Sequence, residues 1–300
     1  MPSDAPLSRT IAILMPGDMG HAVGRVLRDH GQDVVTCLQG RSAHSRALAA
    51  EGGLRDIPEL TDLVRQCDMI LSILPPAAAL AQAETVAAAM RTAGATPVYV
   101  DCNAISPATA TAVSEIVAAA GAPFIDAGII GAAPGKGSAT RFYASGADLA
   151  PLAALDGQGI KVLSLGAEVG KASAMKMVYA ALTKGTWTLH AALLLAASRT
   201  GVLPDLLSEL EHSQGAALNA MRARIPRLPA DSARWVGEMQ EIARTFTDVG
   251  VPDGFHEGAA EIFRILARTP FAAETRQSID SSRTLEEILS VCAAQLAEAD

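Results

Sequence analysis

A run of aliphatic and β-branched residues, Thr10-Ile11-Ala12-Ile13-Leu14-Met15, leads directly into Pro16-Gly17-Asp18-Met19-Gly20 and then into a helical pattern. Strand, glycine turn and helix in that order suit the holding of a pyrophosphate. Free backbone N–H groups at a helix N-terminus bind the anion, and glycine lets the chain approach it closely. Gly17 and Gly20 fill those places, while Met15 stands where the first glycine of the usual triplet would be and Asp18 brings a carboxylate into the turn. A strand-to-helix turn without ligand is the alternative, and the alternation of strands and helices around it favours the dinucleotide.

About twenty residues on, where a carboxylate would bind an unphosphorylated ribose, the sequence reads Cys37-Leu38-Gln39-Gly40-Arg41-Ser42. No acid is present. Arg41 and Ser42, with Arg46 one turn on, can give charge-assisted hydrogen bonds to a 2′-phosphate, so NADP(H) is expected in preference to NAD(H). The plainer alternative is that Arg41 and Ser42 are solvated loop residues that start the next helix. Far downstream, Lys176 lies early in an apolar helical stretch with Tyr179 three residues on, a spacing that puts both on one face. A lysine desolvated in a cleft loses affinity for its proton and can shuttle it; one on an amphipathic helix simply snorkels to water.

The elements that must position these residues alternate through the first half. Strand patterns at Thr10–Met15, Asp33–Leu38, Met69–Leu74, Pro97–Asp101, Pro123–Asp126, Arg141–Ser145 and Ile160–Leu165 are separated by Ala- and Leu-rich segments. They predict an α/β domain over 1–167 with a Rossmann-type, doubly wound, mostly parallel sheet. Beyond Gly166 only helical patterns follow, near Val169–Gly201, Leu203–Arg224, Ser232–Asp248, Gly254–Ala267 and Thr284–Ala297. They predict an all-helical domain over 168–300, with Pro204 in a first turn and Thr284-x-x-Glu287 as a capping box.

A net charge of −8 with scattered Lys and Arg argues against nucleic acid or an anionic membrane surface as partner. The apolar stretch Ala172–Ser198 is broken by Lys176, Lys184 and His190, which would be costly in hydrocarbon. The opening residues, MPSDAPLSRT, have no basic-then-apolar leader pattern, so a cytoplasmic location is expected. Cys37, Cys67, Cys102 and Cys292 are far apart and read as small hydrophobes. No metal site is expected, since the six His are dispersed without ligand spacing.

Further segments resemble those of the β-hydroxyacid dehydrogenase superfamily, and the resemblance covers most of the chain. Gly17-Asp18-Met19-Gly20 is similar to its glycine loop. Leu71-Ser72-Ile73-Leu74-Pro75 and Asp101-Cys102-Asn103 are similar to its cofactor-side segments, which implies cofactor contacts at Asp18, Met19, Leu74, Pro75 and Asn103. Asp126-Ala127-Gly128-Ile129-Ile130-Gly131 resembles the substrate-binding stretch without its Ser, implying substrate contacts at Gly128, Ile129, Ile130 and Gly131. Lys136, in the loop that follows, is then expected to meet an anionic group. The segment Gly170–Ala180 resembles the interdomain helix that carries the family's catalytic lysine, which places Lys176 as general acid and base with Tyr179 beside it. Tyr179, Ala180 and Thr183 depart from the polar residues common there. The resemblance also implies a homodimer built on the helical domain.

Together these features lead to the expectation of an NADP-dependent oxidoreductase acting on a small hydroxy acid, sugar acid or related carbonyl compound. Two alternatives are an imine reductase, suggested by the apolar Ile129 and Ile130, and an NADP-binding protein without turnover, suggested by the missing polar residues. His256 opens a late helix, where it either reaches a pocket or merely starts the helix.

Overall fold

The structure is a computed structural model that describes residues 9–135 and 140–297. They fall into two compact units, one up to Met177 and one from Val178 onward. Strand patterns end near residue 165, but the first turns of the following helix pack with the sheet, so this division lies ten residues beyond the one read from the sequence.

In the first unit eight strands form one sheet: β1 (Thr10–Ile13), β2 (Asp33–Thr36), β3 (Arg55–Asp56), β4 (Met69–Ser72), β5 (Val98–Asp101), β6 (Phe124–Ile130), β7 (Thr140–Ser145) and β8 (Ile160–Ser164). Their spatial order is β3-β2-β1-β4-β5-β6-β7-β8, parallel throughout except between β6 and β7. The seven strands read from the sequence are all present. β3 was not legible, because two exposed residues at a sheet edge carry no apolar signal.

Helices α1 (Asp18–Asp29), α2 (Ala43–Gly52), α3 (Leu60–Gln66), α4 (Ala79–Ala93), α5 (Pro107–Ala118) and the short α6 (Ala150–Ala153) connect the strands. Successive strand residues point to opposite faces. Ile11 and Ile13 therefore enter one core layer with Val23, Leu27, Leu71 and Phe142. Ala12 and Leu14 enter the other with Ile70, Val86, Met90 and Val113. Both faces are covered, which explains why the strands read as continuous apolar runs. The order reverses at β1, which has β2 on one side and β4 on the other, and the carboxyl ends of strands at such a switch point form a crevice for ligands.

From its start against the sheet, α7 (Lys171–Thr200) continues into the second unit, which adds α8 (Leu203–Ser213), α9 (Gly215–Arg224), α10 (Pro229–Asp248), α11 (Gly254–Ala267) and α12 (Leu285–Ala297). The segment 203–224, read as one helix, divides at Gln214, whose backbone is non-helical just before Gly215. The capping box forms as spaced: Thr284 N donates to Glu287 Oε2 at 2.7 Å, and Glu287 N donates to Thr284 Oγ1 at 3.2 Å. Trp235 packs between Trp187 and Phe263 with ring centroids 5.2 Å apart in each case. Beside it, Lys184 and Glu238 form a buried ion pair at 2.6 Å. Among the described residues no helix is long and apolar enough to cross a membrane.

Candidate active site

The glycine turn after β1 is held by its own backbone: Gly17 N donates to Met15 O at 2.9 Å, and His21 Nδ1 lies 2.8 Å from Gly17 O. A Cβ on Gly20 would sit 2.3 Å from Met15 O, so the approach of α1 to the turn requires glycine there. Gly17 is different. Its φ of −83° suits any residue, and a Cβ built on it meets nothing within 4 Å. The protein's own packing does not demand that glycine, whereas a pyrophosphate drawn close to the first turn of α1 would. The turn therefore fits a dinucleotide. Asp18 stands in that first turn. The partly buried Met19 side chain packs against one core layer of the sheet.

At the end of β2, Arg41 reaches back toward β1: Nη2 donates to Leu14 O at 3.3 Å and to Gln82 Oε1 on α4 at 3.4 Å. Its Nε is buried without a hydrogen-bond partner. Ser42 caps α2, accepting from Ser45 N at 3.2 Å, so its hydroxyl is already used by the helix end. Arg46 is committed as well, donating to Leu38 O at 2.6 Å and Arg41 O at 3.3 Å. Of the two cations, Arg41 has the longer hydrogen bonds and reaches the end of β1 at Leu14 O.

Across the switch point, Asn103 ties the ends of β4 and β5 together. Its Oδ1 accepts from Leu74 N at 2.5 Å, and its Nδ2 donates to Asp101 Oδ2 at 2.8 Å and Ser72 Oγ at 3.1 Å. The amide expected to meet the cofactor thus also braces the ends of the two strands. Leu74 likewise buries its side chain, while Pro75 beside it is exposed. Asp101 is fully buried opposite Asp126 in the β5–β6 register. Burial, reinforced by the Asp126 charge, pushes its carboxyl up to about 7.

The β6–α7 junction carries the lysine. Gly170, with φ +96°, sits at the helix start and has no side chain to cap it. Asp126 supplies the acceptor from β6: Oδ2 takes Gly170 N at 2.9 Å and Ser173 N at 3.0 Å, and Oδ1 takes Ser173 Oγ at 2.6 Å. Ser145 on β7 joins in, donating to Asp126 Oδ2 at 3.1 Å and accepting Ala172 N at 3.0 Å. One turn on, α7 crosses Gly128, where a Cβ would lie 2.8 Å from both Ala172 O and Lys176 Cβ. That gap brings Lys176 against the strand, and Nζ donates to Ile129 O at 2.7 Å.

The other residues expected at the substrate site divide. Gly128 serves the approach of α7. Ile129 and Ile130 bury their side chains, and the Ile129 carbonyl is the group that faces the lysine. Gly131 is exposed with φ +116° where the chain leaves β6. Lys136 lies outside the described residues. Tyr179 is 41% exposed on α7, three residues beyond Lys176. His256 is buried against the rings of Phe246 and Phe255, and desolvation holds its pKa below the ordinary value. It is a packed core residue. Sequence reasoning missed Asp126 and Ser173; the available signal was a helix start whose cap position is glycine.

Residues 10–153 match the NAD binding domain of 6-phosphogluconate dehydrogenase, and residues 197–266 match a domain of unknown function (DUF1932). The first match agrees with the resemblance to the β-hydroxyacid dehydrogenase superfamily. A conserved protein of unknown function, described as structurally similar to 3-hydroxyacid dehydrogenases, is 29% identical with a TM-score of 0.63 over 86% of this chain and 96% of its own. Mycobacterium tuberculosis 3-hydroxyisobutyrate dehydrogenase shares the fold at 20% identity, TM-score 0.64, over 95% and 99%. So does a Streptomyces aurantiacus imine reductase, at 20% identity and TM-score 0.54 over 90% and 98%. With its first unit matching an NAD-binding dehydrogenase domain, the protein is an NAD(P)-dependent dehydrogenase.

Proposed function

We propose that this dehydrogenase uses NADP(H) and acts on a small hydroxy acid, sugar acid or related carbonyl compound, with Lys176 as proton donor and acceptor. The observation that carries the reading is the fixing of Lys176 on the carbonyl of Ile129, at the same carboxyl edge of the sheet as the glycine turn. When bound, the nicotinamide supplies or accepts the hydride. In reduction the Lys176 ammonium donates a hydrogen bond and then its proton to the substrate oxygen, so that carbonyl, hydride and proton balance as an alcohol. In oxidation the neutral amine takes the hydroxyl proton. Tyr179, three residues on along the helix, orients the substrate.

Preference for the 2′-phosphate rests on Arg41 and on the lack of an acid after β2. A second copy of the chain is the partner expected for α7, where Val178, Leu182 and Leu189 are 57%, 69% and 51% exposed on one stripe. The protein is read as a cytoplasmic enzyme with no nucleic-acid partner, in keeping with its net charge of −8.

The test is a paired titration of wild type, Lys176→Met and Arg41→Ala with NADPH and NADH, followed by turnover on a panel of carbonyl, hydroxy-acid and imine substrates. Lys176→Met should bind NADPH normally and lose turnover. Arg41→Ala should lose at least tenfold in NADPH affinity, about 1.4 kcal/mol or more, and little toward NADH. Turnover of imines that survives in Lys176→Met would replace the proposal with imine reduction, and wild type that binds NADPH but turns over nothing would replace it with a binding protein.

A further inference from the structure

The buried carboxylate of Asp126 has no place in the proton transfer itself, yet it organises the element that carries it. It is 0% exposed and takes three hydrogen bonds from the start of α7 and one from Ser145. Two of them come from backbone N–H groups, of Gly170 and Ser173, that otherwise lack an acceptor at a helix start. The cap comes from another strand because the cap residue is glycine, and a negative charge there also meets the positive end of the helix dipole. Lys176 lies three residues beyond Ser173, less than one turn, and any shift or fraying of that first turn moves Nζ relative to Ile129 O.

We infer that Asp126, with Ser173 and Ser145 as its hydrogen-bond partners, is a positioning residue that sets the location of the Lys176 ammonium by anchoring the first turn of α7 to β6. The inference rests on the proposed role of Lys176 for its catalytic consequence, and on the hydrogen bonds alone for its structural one. Asp101, the register partner of Asp126, carries the nearest acid on the sheet and braces Asn103 instead. The cap at Asp126, the missing Cβ at Gly128 and the acceptor at Ile129 all bear on where Lys176 lies.

The chain has five lysines, Lys136, Lys161, Lys171, Lys176 and Lys184, so the side-chain NMR signal of each can be assigned with Lys→Arg variants and followed without any substrate. Asp126→Ala removes every acceptor. In that variant the Lys176 signal should move to the position of the exposed Lys161 and Lys171, while NADPH affinity stays within twofold of wild type. Asp126→Asn keeps one acceptor oxygen and the side-chain volume and should restore most of the wild-type signal. On whichever panel substrate the wild type turns over, Asp126→Ala should lose about 100-fold in kcat, the scale of a 1 Å misplacement of a reacting group, with KM little changed. Should Asp126→Ala not fold, Ser173→Ala and Ser145→Ala, each removing one hydroxyl of the set, are read the same way, and a shifted Lys176 signal in either supports the inference. An unmoved Lys176 signal in a folded Asp126→Ala, or in both serine variants, overturns it. Full activity of Lys176→Met would overturn the proposed function instead, while the Lys176 signal in Asp126→Ala would still decide whether Asp126 positions the helix.

Discussion

Replacing Gly128 by Ala tests whether the approach of α7 to β6 sets the active site. The added Cβ would lie 2.8 Å from Ala172 O and 2.8 Å from Lys176 Cβ. Ordinary heavy-atom contact begins near 3.5 Å, so helix and strand must separate by about 0.7 Å. Neither side can yield cheaply, because one obstacle is backbone and the other is the stem of a residue held at its far end by Ile129 O. Overpacking of this kind costs roughly 1–3 kcal/mol, which for a unit of this size lowers Tm by about 2–4 °C per kcal/mol. The same displacement at the Lys176 ammonium should lower kcat by a factor approaching 100, while the glycine turn and NADPH binding are untouched. Thermal unfolding, an NADPH titration and kcat on an accepted substrate measure the three effects separately. A Gly128→Ala enzyme with unchanged Tm and unchanged kcat refutes the packing argument; unchanged kcat with a lowered Tm refutes only its link to Lys176.

Two further expectations follow from particular residues. Asp101 has a carboxyl raised from 3.8 to about 7 by burial, so the folded state binds a proton that the unfolded state has released. Stability contributed by the neutral acid is therefore lost as pH rises from about 4 to 7, by on the order of 4 kcal/mol in total. Denaturant unfolding of wild type and Asp101→Asn at pH 4 to 8 should show the variant gaining on wild type across that window, and a constant difference counts against the assignment. On the α7 stripe, Leu182→Glu places like charges at a self-facing interface, worth several kcal/mol, at a side chain that is 69% exposed in the single chain. Sedimentation should show a dimer for wild type and a monomer of undiminished Tm for the variant; a monomeric wild type removes the basis for the stripe as an interface.

The alternation of apolar strands and helical segments was enough to read the seven principal strands, the parallel architecture and the helical second half, because burial on both faces of a sheet and on one face of a helix leaves direct periodic traces. The glycine turn was legible for the same local reason, as strand, turn and helix are contiguous in the chain. Only the tertiary structure distinguished Gly20, required by the Met15 carbonyl, from Gly17, which leaves open space. It also showed how the side chains of Asn103, Ile129 and Ile130 are engaged within the fold, since whether a side chain at a strand end is spent on a neighbour depends on partners distant in sequence: Leu74 for Asn103, Phe142 and its layer for Ile129. Most of all, the anchoring of Lys176 was invisible in the sequence. Its parts, Asp126, Gly128, Ser145 and Ser173, come from two strands and a helix, and nothing in their spacing along the chain shows that they meet. Residue type and local order determined which chemistry was available, and the meeting of β6, β7 and α7 decided where Lys176 is held.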